Sequence, residues 1–177
     1  MTSSAYLTAA LILAATQSVA AVTDPLAPAR SGQLQCFAPD PSRKMCRALA
    51  GYTFGASGAI QARGNILMAP SELLIVMRTS TPVQVRSGAV CGSVRARDIE
   101  ASTFTIAGNP VPQQMVQFAS PQILSMLRSH IDKEICTTFV PNGSGFSTQL
   151  TMDGVAQPQI SETFIWVRPS DGYSVGP

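Results

Sequence analysis

Gly88-Ala89-Val90-Cys91-Gly92 and Glu134-Ile135-Cys136-Thr137-Thr138-Phe139-Val140 are the two stretches on which the reading of this chain turns. Each is a short, strand-like apolar run with a cysteine near its middle. Between them lies the clearest helix signal in the sequence. A bond between Cys91 and Cys136 would close that interval into one unit, and the rest of the protein would hang on it. The expected class is α+β with β-structure dominant, built from about seven short, mostly antiparallel strands and one well-signalled helix, with two disulfides.

Composition points the same way. The 177 residues hold thirteen prolines and thirteen glycines, and only 12% are charged. Such a chain suits strands joined by turns better than a bundle rich in Lys, Glu and Leu. Its length fits one domain. Net charge is +2, and the ten Arg residues are scattered singly between Arg30 and Arg168. No basic stripe points to nucleic acid, so none is expected as a partner.

Residues 1–21 read as a secretory signal peptide. An apolar run from Ala5 to Ala15 is followed by the small residues Ser18-Val19-Ala20-Ala21, as signal peptidase cleavage requires. No Lys or Arg precedes the run. It is too short for a membrane span, which takes about twenty apolar residues, so no stable span is expected after cleavage. Residues 22–34, rich in Pro and Ala, are expected to be a disordered leader, with a single domain over 35–177. The protein is thus expected in the periplasm or outside the cell.

Four cysteines in an exported chain imply two disulfides. Two prolines and several turn formers lie between Cys36 and Cys46, so the favoured pairing is Cys36 with Cys46 and Cys91 with Cys136. Loop-closure entropy makes these worth roughly 3 and roughly 4 kcal/mol. With no Cys-x-x-Cys pair and one histidine, no metal or other cofactor is expected.

Strands are expected over Met45–Phe54, Ile60–Met68, Glu72–Arg78, Val83–Arg86, Ile135–Val140, Phe146–Met152 and Thr163–Val167. Thr79-Ser80-Thr81-Pro82 is read as a break, and Arg95–Ala101 as one or two helical turns. Ser120-Pro121 supplies an N-cap and a proline at the first helical position, so the main helix is expected over about 121–132. Its apolar stripe is Ile123, Leu124, Leu127 and Ile131. Phe104-Thr105-Ile106-Ala107-Gly108 and Leu150-Thr151-Met152-Asp153-Gly154 share one pattern, each with a proline four residues beyond the glycine. Both read as a strand entering a glycine turn.

Chemistry is sparsely signalled. His130 is the sole histidine, and no nucleophile motif accompanies it. Asp98 with Glu100, Asp132 with Glu134, and the turn residues Asp153 and Asp171 form no catalytic constellation. Trp166, Arg168 and Tyr173 belong to residue types enriched in binding hot spots and are the candidate interaction surface, although Trp166 also suits a core position. An exposed final strand would offer an edge to a partner strand. The expectation is an exported binding or assembly domain of the cell envelope, acting on a protein or another envelope component, rather than an enzyme. The alternative is an exported hydrolase with a site around His130.

Overall fold

Eight segments pair edge to edge until the last meets the first. They form a closed barrel, described here from a computed structural model covering residues 24–68 and 74–177. The expected signal peptide and the start of the expected strand at Glu72 lie outside the described residues. In chain order the elements are α1 (Ala27–Arg30), β1 (Leu34–Phe37), β2 (Met45–Cys46), β3 (Ala48–Phe54), β4 (Ile60–Leu67), β5 (Ile75–Arg86) and β6 (Ala89–Ser93). Then come α2 (Ala96–Glu100), β7 (Thr103–Ile106), β8 (Asn109–Pro110), α3 (Gln113–Met126), β9 (Glu134–Asn142), β10 (Gly145–Met152), β11 (Val155–Ala156), β12 (Thr163–Val167) and β13 (Ser174–Val175).

The barrel runs β1-β3-β4-β5-β6-β9-β10-β12 and back to β1, with every pair antiparallel. β-structure dominates as expected, but thirteen strands among the described residues replace the expected seven. Leu34 falls in the expected leader with no strand expected over Leu34–Phe37, β2 and β3 are merged in the expected strand Met45–Phe54, and no sequence signal marks the two-residue strands β8, β11 and β13. In the opposite direction, the single strand β5 is expected as two, divided at Pro82.

That proline is tolerated for a local reason. β4 pairs with β5 from Val76 to Val83. On the other side, β7 takes Ile75–Arg78 and β6 takes Val83–Arg86. Residues 79–82 therefore have a strand on one side only, and a proline N lacking its hydrogen breaks no ladder there.

The main helix is also displaced. α3 begins at Gln113, eight residues before the expected start, and ends at Met126 with Pro121 inside it. Ser120 is no N-cap; its hydroxyl donates to the Val116 carbonyl at 2.9 Å. A proline costs a helix one N–H donor, and burial of Val116 and Ile123 holds the helix together across it. α3 packs with α2 and β7 into a core of Met77, Ile99, Phe104, Val116 and Ile123 at one end of the barrel.

The other end is closed by residues expected to be disordered. Leu26 is fully buried and, with Ala29, packs against Ile60 and Val90. Asp24 anchors this plug: its carboxylate accepts the Leu26 N–H at 3.0 Å and pairs with Arg30 at 2.6 Å. The Arg30 guanidinium lies 4.2 Å from the centre of the Phe54 ring. Pro and Ala in this stretch favour the short helix entered at Pro28 rather than disorder.

Cys36–Cys46 and Cys91–Cys136 are both bonded. The second joins directly opposed residues of β6 and β9. The first lies outside the barrel wall. There Cys36, Cys46, Leu49 and Val167 are buried under Tyr173 and Val175, and β13 runs parallel to β2. The two similar sequence units become matching hairpins. Ala107-Gly108 and Asp153-Gly154 turn with positive φ, and the flanking pairs Ile106–Asn109 and Met152–Val155 stand in the same register. That is the turn geometry two-residue hairpins prefer.

Candidate functional site

Alternation along the strands sorts the barrel into two faces. Outward residues such as Gln61, Arg63, Arg78, Gln84, Thr138 and Gln149 are exposed and polar, the reverse of the apolar band on a lipid-embedded barrel. Among the described residues, no helix is long and apolar enough to cross a membrane. Two disulfides fit an oxidising compartment.

The inward face encloses a cavity of about 340 Å³, near the lower end of the ~300–1,000 Å³ typical of small-molecule sites. Eight-stranded barrels either fill their interior with side chains or hold one small ligand. Small residues at two inward positions, Ala62 on β4 and Gly92 on β6, help to leave the space open. Its apolar wall is Phe37, Val83, Val90, Ile135, Phe139 and Leu150. Beside it, Phe164 gathers Phe37, Phe139, Phe146 and Trp166 with ring centroids 5.0–5.7 Å away. Two pockets of larger volume, about 540 and 500 Å³, are lined mainly by other residues. The barrel interior is the candidate because apolar inward side chains from most of its strands converge there.

Several polar groups line the same space, and most are already engaged. Tyr52 donates its hydroxyl to Gln35 Oε1 at 2.8 Å, and burial pushes its pKa well above the usual phenol range. Thr81 donates to Asp98 of α2 at 3.2 Å. Thr148 Oγ1 accepts the Glu162 N–H at 2.9 Å. Ser93 and Thr137 also line the space. Gln35 is half engaged: it is 1% exposed, lines the cavity, and its Nε2 is buried with no hydrogen-bond partner. Thr79 Oγ1 is a second buried atom without one.

One section of the wall is weakly laddered. β10 and β12 share two register pairs, Phe146–Phe164 and Ser147–Thr163, against eight between β9 and β10. Beyond them residues 157–162 take over, held by Gln157 N–H to the Leu150 carbonyl at 2.8 Å and Ser161 Oγ to the Thr148 carbonyl at 2.8 Å. Ile160 and Glu162 of this segment face the cavity. The Glu162 carboxylate lies 3.5 Å from Arg47.

The residues singled out from sequence do not form this site. Trp166 points into the barrel and packs on Phe139 with ring centroids 6.4 Å apart, because its parity on β12 places it on the inner face. Tyr173 covers the outer patch around Cys36. Arg168 is exposed in the turn that follows, its N–H bonded to Asp171 at 2.7 Å. The three share no surface, and β12 lies between β1 and β10, paired on both sides at Phe164 and with β1 alone over Ile165–Val167. His130 follows α3 with its Nδ1 3.0 Å from Ser129 Oγ, and it does not line the cavity. Asp98 is held by Arg95 at 2.7 Å, and Asp153 pairs with Lys133 at 2.7 Å. Asp171 caps its own turn. The described residues hold no group of three or more potential metal ligands.

Gln35 and Tyr52 escaped the sequence reading because each lies on a different strand and neither sits in a motif. The available signal was local: Gln35 is flanked by Leu34, Cys36 and Phe37, an odd place for an exposed glutamine. Compared with known protein families, curated proteins and solved structures, the chain matches none.

Proposed function

We propose that the protein is an exported binding domain whose barrel interior receives one small, largely apolar molecule. The observation that carries this reading is the 340 Å³ cavity walled by apolar side chains inside a barrel whose outer face is polar. A domain of this design shields an apolar ligand from water while staying soluble itself. Export rests on the signal-like residues 1–21, and the disulfides support an oxidising destination.

A titration tests the binding role. Trp166 is the chain's single tryptophan and packs on Phe139 of the cavity wall, so it reports on occupancy. N-phenyl-1-naphthylamine should quench its emission saturably at one site per chain. Ala62→Met, which fills the cavity from β4, should abolish the effect while leaving the fold intact by circular dichroism. Absence of saturable binding by the unaltered protein sinks the reading. Amino-terminal sequencing of the protein recovered from outside the cytoplasm should begin near Val22.

A further inference from the structure

Resting on that reading, we propose that the ligand is uncharged and carries a carbonyl-type acceptor that is met by Gln35 Nε2 inside the barrel. The hydroxyls of Tyr52, Thr81 and Thr148 are each engaged within the protein, and those of Ser93 and Thr137, which also line the cavity, are not among the buried atoms left without a partner. Gln35 differs. Its Oε1 is engaged by Tyr52, which fixes the amide in place, while its Nε2 is buried without a partner. A buried donor left unpaired is costly, and an occupant that supplies an acceptor removes the cost. Amide donors of this kind are matched by a ketone, ester, lactone or amide oxygen.

Charge selects among acceptors. Among the described residues, no Lys, Arg or His lines the cavity, and the one carboxylate on its wall is that of Glu162. A ligand carboxylate would enter a desolvating space with no counter-ion on its wall, which disfavours it. A ligand cation would meet a Glu162 that Arg47 already holds at 3.5 Å. The apolar remainder of the guest would lie among Phe37, Val83, Val90 and Phe139.

Three probes of matched shape test this on the natively expressed protein: 2-acetylnaphthalene, its hydrocarbon counterpart 2-isopropylnaphthalene, and 2-naphthoate. Calorimetry should rank the ketone about tenfold tighter than the hydrocarbon, as expected for satisfying one buried donor, with the carboxylate weakest. In Gln35→Met the advantage of the ketone over the hydrocarbon should vanish while hydrocarbon binding persists. Equal binding of ketone and hydrocarbon by the unaltered protein overturns the proposal but leaves the barrel as an apolar site. Tightest binding of the carboxylate overturns it on charge. Failure of all three probes to bind overturns both the proposal and the functional reading beneath it. The comparison on the unaltered protein decides the matter even if Gln35→Met fails to fold.

Discussion

Tyr52 of β3 donates its hydroxyl hydrogen to Gln35 Oε1 of β1 over 2.8 Å, a cross-brace between two adjacent strands on the inside of the barrel. The pair fixes the glutamine amide, and burial holds the phenol in its neutral form. Tyr52→Phe preserves the ring and removes the brace, leaving both polar ends of Gln35 buried and unpaired. The expected loss is about 1–3 kcal/mol, read as a lower midpoint in urea with an unchanged slope. No change in midpoint would mean that the amide finds another partner.

Ionisation gives that pair an alkaline signature. Tyr52 has its folded pKa raised by burial, so the folded state holds this proton more tightly than the unfolded chain. Its contribution is fully present below the unfolded value of about 10 and is lost as pH rises above it. Asp40 and Asp153 behave in the opposite sense. Ser42 and Arg43 hydrogen bonds hold Asp40 well below the usual carboxylate range, and Lys133 with the Glu134 N–H lowers Asp153. Their contribution is present above about pH 4 and is lost as pH falls through the depressed values. Stability should be flat between these limits and fall on either side. Tyr52 phenolate absorbance that appears near pH 10 in the still-folded protein would contradict the alkaline limb.

The α1 plug yields a packing prediction. Leu26 has no exposed surface and seals one end of the barrel against Ile60 and Val90. Leu26→Ala should cost about 2–5 kcal/mol, and hydrogen exchange should rise at the adjoining ends of β3 and β4. A residue in a disordered leader would give no effect at all.

Gly145 marks the weakly laddered seam. A Cβ there would stand 2.6 Å from the Phe164 carbonyl oxygen, a backbone atom that cannot swing aside. Gly145→Ala should therefore push β10 from β12 and destabilise by about 1–3 kcal/mol. Loss of protection should concentrate at residues 145–148 and 163–165. Uniform loss across the barrel would place the seam elsewhere.

Removing each disulfide separates local from global stapling. Cys91→Ala with Cys136→Ala frees a separation of 45 residues and should cost about 4 kcal/mol. Cys36→Ala with Cys46→Ala, which frees a separation of 10, should cost about 3. Equal losses would show that burial of the outer patch at Cys36, not chain entropy, dominates.

The sequence by itself determined the β-rich character, the two disulfides, and most strand and turn positions. Alternation, glycine turns such as Ala107-Gly108 and Asp153-Gly154, and cysteine parity are local signals that neighbours in the chain can carry. Only the tertiary structure decided closure. Whether Leu34–Phe37 is irregular chain at the end of a leader or the strand joining β3 to β12 depends on partners well over a hundred residues away in one case. The same holds for Pro82, acceptable because β5 has one free flank there, and for Pro121, kept inside α3 by burial of Val116 and Ile123. Trp166 became an inner-wall residue once β12 was set in register against β1, opposite Gln35. The cavity lies at the far end of this logic. Gln35, Tyr52 and Phe139 acquire a common role only when the ring is shut, since inward direction is a property of the barrel and not of any one strand.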